Sequence, residues 1–201
     1  MSTIRMLGLD PSLTSTGWSV LEIDTETREI VNVIAMGTIK TAPTKNKKQR
    51  KSSDDLDRAR TIIMNLRDVI KEYDIKLAAS EVPAGAQSAK AARAFGIVVG
   101  LLASLPVPMF EVTPRQVKMA TCDSAVADKE DIMRWALTVT LGTPVHGQWK
   151  VGAKNDFEIE LRGKYMAKTM EHQADSIAVG HTAAKGDEFA NLAGMLASVL
   201  A

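Results

Sequence analysis

Four side chains stand where they could hold a cation or work on a phosphate. Asp10 closes an apolar run and opens a Ser/Thr-rich turn in GLDPSLTSTGW, residues 8–18. An acid at a strand end beside a tight turn can aim its oxygens at a metal ion or at a metal-bound phosphate. The same Asp-Pro pair can also simply cap the turn with Ser12. Glu81 follows the apolar Leu77, Ala78 and Ala79. A carboxylate closing a nearly buried strand needs a cation or an ion-pair partner, because an unpaired buried charge costs several kcal/mol. In EHQADSIAVGHTAA, residues 171–184, His172 and Asp175 are three apart, so on a helix they share a face that could coordinate a metal. Glu171 lies one residue off that spacing and reads as surface. His181 reads as a packed or hydrogen-bonded helix residue.

The elements that must position these groups follow from periodicity. Residues 3–10, 18–23 and 30–39 alternate as strands, the last two separated by the polar turn 24–28, which predicts an antiparallel meander. Residues 41–53 are polar, with five cations between positions 45 and 51, and read as a mobile basic loop. Ser53 is a good N-cap for an amphipathic helix to about residue 74, carried by Leu56, Ala59, Ile63, Leu66, Ile70 and Tyr73. A short strand at 77–82 is broken by Pro83 and Gly85, and an Ala-rich helix spans 87–104. Residues 107–112 read as a strand, and Thr113 with Pro114 as N-cap and first turn of a helix to 120. Helices at 128–139, 167–184 and 187–200 complete the chain, with 141–168 the least regular stretch. Strands lead, then helices and strands alternate, which predicts a single α/β domain over 1–201 without repeats.

Composition sets the outer limits. A compact chain of 201 residues buries roughly 70% of its unfolded surface, enough for a substantial core. With 25 Lys+Arg against 24 Asp+Glu the net charge is +1, which excludes a protein that is basic all over. A nucleic-acid surface must therefore come from segregated charge: residues 45–51 carry +5 and residues 85–118 carry +3, leaving −7 for the remainder. One cysteine, Cys122, supports neither an internal disulfide nor a Cys-rich zinc site, and the chain reads as intracellular. The longest apolar stretch, 95–108, is interrupted by Gly96, Gly100 and Ser104, so a membrane span is not expected, and the N-terminus does not read as an export signal.

Taken together, the motifs resemble the RuvC family of Holliday junction resolvases within the ribonuclease H-like superfamily. GLDPSLTSTGW looks like the family's first strand and turn, and ASEVPAGAQSAKAARAFGIVVGLLA like its second acid and following helix. FEVTPRQVKMATC resembles its Arg-Gln-Val-Lys strand and helix, ADKEDIMRWAL the next Lys-containing helix, and HQADSIAVGHTAA the closing helix with its acid pair. The resemblance implies a mixed sheet, a three-strand antiparallel meander continued by parallel strands and flanked by helices. It places Asp10, Glu81, His172 and Asp175 on the four metal-site positions, with His172 where many members carry Asp. Lys118 falls on a lysine near the scissile phosphate, with Arg115 as a phosphate contact. Ser12 replaces the usual Gly after Asp-Pro. Val82, Pro83, Ala84 and Gly85 stand where the family often has a junction-wedging aromatic, and 141–168 is longer than the family pattern, a family-variable insertion.

Three carboxylates and an imidazole converging within a few Å repel one another unless a cation is present. The activity implied is a metal-dependent endodeoxyribonuclease that resolves four-way junctions by paired nicks, with two Mg²⁺ or Mn²⁺ per site, Asp10 bridging them and Glu81 and Asp175 holding one each. His172 is then a ligand or a proton acceptor, and its softer nitrogen favours Mn²⁺. DNA would lie on Lys45, Lys47, Lys48, Arg50 and Lys51, and on Lys90, Arg93, Arg115 and Lys118 nearer the site. Trp149, Lys150, Lys154, Phe157 and Arg162 in the insertion could supply base stacking, with small-core packing the other reading of Trp149 and Phe157. A homodimer is expected, with the helix at 87–104, carrying Gly96 and Gly100, as its candidate face and ordinary core packing as the other reading of that helix. Competing readings are a nuclease for flaps, forks or RNA, an actin-like ATPase or sugar kinase, for which 201 residues are too few, and a non-catalytic DNA-structure binder.

Overall fold

The computed structural model describes residues 2–82, 85–141, 150–151, 157–161, 164–167 and 170–200. Strand β1, Thr3–Asp10, carries the run Met6, Leu7, Gly8, Leu9, buried on both faces as expected of a strand at the centre of a covered sheet. It pairs antiparallel with β2, Ser15–Asp24, which pairs antiparallel with β3, Ile30–Lys40. On the other side of β1 lie β4, Leu77–Glu81, and then β5, Met109–Val112, both parallel to it. The order β3-β2-β1-β4-β5 is the meander plus parallel strands expected from the sequence.

Alternation along β1 divides the core in two. Met6, with Leu21, Ile23 and Ala79, faces Ala174, Ile177 and Ala178 of α5, Glu171–Lys185, together with Val117 and Ile132. Leu7 and Leu9, with Val20 and Ala78, face Ile62, Leu66 and Val69 of α1, Lys51–Glu72, and Val98 and Leu102 of α2, Ala89–Ala103. The remaining helices are α3, Pro114–Cys122, α4, Lys129–Leu141, and α6, Asp187–Leu200.

Helix starts show what pattern reading catches and what it does not. Thr113 caps α3 in a full capping box with Gln116, and Pro114 opens the helix, as expected. α1 instead starts at Lys51, two residues before Ser53, with no side-chain cap. Its first turn is fixed by acids that fold inward: Asp54 accepts the Thr44 amide at 2.8 Å and pairs with Lys51 at 2.8 Å, and both Asp54 and Asp55 are buried. Arg58, also buried, donates to the Leu13 carbonyl at 2.8 Å and to Thr41 Oγ1 at 2.9 Å. The basic loop is therefore 41–50 rather than 41–53, and it is tied to α1 and to the turn after Asp10 instead of swinging freely.

Within 150–167 the described residues form a three-stranded antiparallel sheet, β6, Lys150–Val151, β7, Phe157–Leu161, and β8, Lys164–Ala167. The alternating Phe157, Ile159 and Leu161 are β7. Ala167, read as a helix start, ends β8, and α5 begins at Glu171. Pro83, Ala84, Trp149, Lys154 and Arg162 lie outside the described residues, as do the side chains of Lys150 and Phe157.

Candidate metal centre and phosphate cleft

Parallel pairing brings the first two acids together. β1 and β4 run in register through Leu9 and Ser80, and one step further along both strands come Asp10 and Glu81. The third and fourth groups arrive on α5, which crosses β1 and β2 at very short range. An added Cβ on Gly8 would sit 2.1 Å from the Ser176 carbonyl oxygen, and one on Gly17 would sit 1.9 Å from that of His172. Only glycine lets the first turns of α5 lie this close to the strands. That approach sets His172 Nδ1 at 2.5 Å from Asp10 Oδ2.

Asp10, His172 and Asp175 each offer a ligand atom, all within 4.8 Å of one another. Among the described residues this is the one such group of three or more metal-binding side chains. Glu81 lies outside the triplet but lines the same cleft of about 450 Å³, with Asp10, Asp175, Lys118, Lys129 and Val126. The charge is felt throughout. Asp175 is pushed up to about 7, first by burial, then by Asp10, Glu171 and Glu81, with Lys129 opposing. Glu81 is raised by burial and then by Asp10, with Lys118 opposing. His172 is raised by its hydrogen bond to Asp10, against burial. Carboxylates held this close and shifted in this direction lack positive charge, and an oxygen- and nitrogen-donor set of this kind fits a divalent cation.

The predicted cations divide into three sets. Lys118 is in the cleft wall, and Arg115 is exposed one turn earlier on α3. Lys45, Lys47, Lys48 and Arg50 are exposed on the loop, and Lys90 is exposed on α2. Lys51 and Arg93 are held by acids, Lys51 by Asp54 and Asp55, and Arg93 by Asp55 at 3.0 Å. His181 packs on Trp135, ring centroids 4.9 Å apart, burial lowers its pKa, and it lies outside the group of potential ligands formed by Asp10, His172 and Asp175.

The sequence does not single out two charged residues beside the site, one in the cleft wall and one paired with it. Lys129 opens α4 and lines the cleft; in the sequence it stands in the ADK at the head of the helix that resembles the family's Lys-containing one. Glu171, read as surface, is 16% exposed and forms an ion pair with Lys129. Spacing along one helix fixes its faces, whereas the partner that a neighbouring helix start brings is set by tertiary packing.

A mixed sheet of this order, with carboxylates at the ends of β1 and β4 and on a helix packed across them, defines a ribonuclease H-like fold carrying an acidic group that could hold a metal ion. The family described as crossover junction endodeoxyribonuclease RuvC matches residues 6–141. The chain belongs to that family. RuvC of Endomicrobium trichonymphae is 35% identical over 133 residues, covering 64% of this chain and 65% of its own length. RuvC of Prochlorococcus marinus strain MIT 9303 is 29% identical over 133 residues, covering 65% of this chain and 79% of its own. In fold, the chain is similar to Thermus thermophilus RuvC in complex with a Holliday junction substrate. The TM-score is 0.62 at 17% identity, over 95% of this chain and 97% of that one. The family match ends before α5, so the place of His172 and Asp175 rests on geometry.

Two outcomes test this site. Gly17→Ala pushes the His172 backbone off β2, and Mn²⁺ affinity measured by titration calorimetry should fall about 10- to 100-fold while the far-UV spectrum is kept. Unchanged affinity would show that α5 can retreat without moving its ligands. The second concerns pH. The folded chain keeps the Asp175 proton to about 7, whereas the unfolded chain releases it near 3.8. Between these values the folded state binds more protons, so stability falls as pH rises. His172, raised above 6.5, acts in the same sense, its contribution full below 6.5 and lost as pH climbs through the folded value. The urea midpoint of chelated protein should therefore drop from pH 4 towards pH 8, less steeply in Asp175→Asn, and divalent metal should restore it on the alkaline side. A wild-type slope no steeper than that of Asp175→Asn would contradict the assignment.

Proposed function

We propose that this chain is a metal-dependent endodeoxyribonuclease that resolves four-way DNA junctions by paired, symmetric nicks. The observation that carries the reading is the Asp10, His172 and Asp175 triplet, two of whose members, Asp10 and Asp175, line one cleft with Glu81, Lys118 and Lys129. It is supported by the names of the relatives and by the junction bound to the Thermus thermophilus neighbour.

Asp10, Glu81 and Asp175 would hold the ions, two Mg²⁺ or Mn²⁺ per site, with His172 as a further ligand or proton acceptor. A bound divalent cation supplies positive charge that polarises the phosphodiester and acidifies water. His172 Nδ1 is engaged by Asp10, which leaves Nε2 to ligate or to take the proton of the attacking water. Lys118 and Lys129 face the non-bridging phosphate oxygens from the cleft wall. Water oxygen bonds to phosphorus in line as the bond to the 3′ oxygen breaks, giving a 5′ phosphate and a 3′ hydroxyl. The loop cations Lys45, Lys47, Lys48 and Arg50 with Lys90 and Arg115 hold the flanking backbone, a salt-sensitive contact.

The partner of this chain is a second copy. α2 is rich in apolar residues, yet only Val98 and Leu102 are buried, and Val99 is 43% exposed. A Cβ on Gly96 or Gly100 would meet nothing within 4 Å, so packing inside the chain does not require glycine there. A close helix–helix approach across a two-fold axis does, and it would place two sites on opposite strands of a nearly two-fold junction. No helix among the described residues is long and apolar enough to cross a membrane, and we assign the protein to the cytoplasm.

Labelled four-way junction, fork, flap, linear duplex and RNA:DNA hybrid, offered with Mg²⁺ or Mn²⁺, should yield paired symmetric nicks on the junction alone. Asp10→Asn should lower the rate by more than about 100-fold and still bind junction. Indiscriminate cutting, or full activity in Asp10→Asn, would overturn the reading. Gly96→Leu should sediment as a monomer. Because leucine is the better helix former, by up to about 1 kcal/mol, that monomer should fold normally. A dimer that survives the substitution would move the interface elsewhere.

A further inference from the structure

α4 and α5 begin beside the same cleft. Lys129 is the first residue of α4 and Glu171 the first of α5, and their side chains form an ion pair. The partners differ in setting: the Lys129 side chain is 74% exposed and that of Glu171 only 16%. The carboxylate is therefore fixed against the protein, and the ammonium stands in the cleft wall with Asp10, Glu81 and Asp175. Lys118, the other lysine of that wall, has no ion pair among the described residues. The two lysines thus present different faces to an incoming anion. Lys118 can meet it directly, whereas Lys129 already holds a carboxylate.

Resting on the reading that this cleft takes a DNA phosphodiester, we propose that Glu171 sets substrate affinity by competing with the DNA backbone for Lys129. The Lys129–Glu171 pair must be exchanged for a Lys129–phosphate contact before the strand seats. An ion pair with one largely exposed partner is weak, so the exchange is open to a phosphate that other contacts already hold in place. A strand that meets the cleft without those contacts, such as linear duplex, has less to exchange it with. Glu171 does not touch the reacting atoms; its effect falls on binding.

The test uses the full chain as wild type, Glu171→Gln, Glu171→Asp, Lys129→Gln and the double variant Lys129→Gln/Glu171→Gln. Junction binding is read by fluorescence anisotropy in EDTA and cleavage by steady-state kinetics in Mn²⁺. Glu171→Gln should lower Kd and KM about three- to fivefold with kcat within twofold of wild type. Glu171→Asp should lie near wild type, and the tightening should vanish in the Lys129→Gln background. A lowered kcat at unchanged KM would make Glu171 an orienting residue and overturn the proposal. The same tightening without Lys129 would overturn it as well, as a general charge effect. Wild type that neither binds nor cuts junction would sink the functional reading beneath it. Wild type that does both, while Glu171→Gln matches it in Kd and KM, sinks the competition alone.

Discussion

The backbone of α5 lies against β1 and β2 with no room for a side chain between them. At Gly8 the nearest atom is the Ser176 carbonyl oxygen and at Gly17 that of His172. This approach determines the small-residue character of α5, whose residues from Ala174 to Ala184 are nearly all buried, because larger side chains would lever the helix off the sheet. It also decides the chemistry. His172 and Asp175 reach Asp10 only because the first turn of α5 touches the strand beside it. The fold and the site therefore share one tolerance, and loosening it would loosen both.

The second constraint is electrostatic and opposes the first. Packing the helix down concentrates Asp10, Asp175, Glu81 and Glu171 around one cleft, and the raised pKa of Asp175 records the cost of that concentration. Lys118 and Lys129 offset part of it from the facing helices, and the imidazole of His172 contributes a donor without a formal charge when neutral. What the side chains leave uncompensated is the affinity of the site for cations and for the counter-charge that accompanies a phosphate.

Much of this was legible residue by residue, and the rest fails for physical reasons. Asp10 and Glu81 could be picked out because each ends an apolar run where a turn begins, and strand ends are marked locally. Their adjacency could not, since parallel pairing joins residues some seventy positions apart and leaves no local trace. The start of α5 was misplaced at residue 167, where Ala167 and Lys168 suit a helix, because the strand partner that holds Ala167 is β7. The basic loop read as solvated because its charges are visible in the sequence, while the inward turn of Asp54 and Arg58 that anchors it is a tertiary fact. Glu171 failed in the same way: its partner Lys129 sits 42 residues earlier.

The link between Glu81 and α2 is short. Residues 82–88 are all that separate the acid at the end of β4 from the Ser88-capped helix proposed to lie on the two-fold axis. Seven residues can reach at most about 25 Å even when fully extended. In such a dimer each cleft hangs from the axis on a short tether, and the ion pair from Arg93 to Asp55 braces that helix against α1. If α2 lies on the two-fold axis as proposed, neither cleft can stand further from it than this link allows.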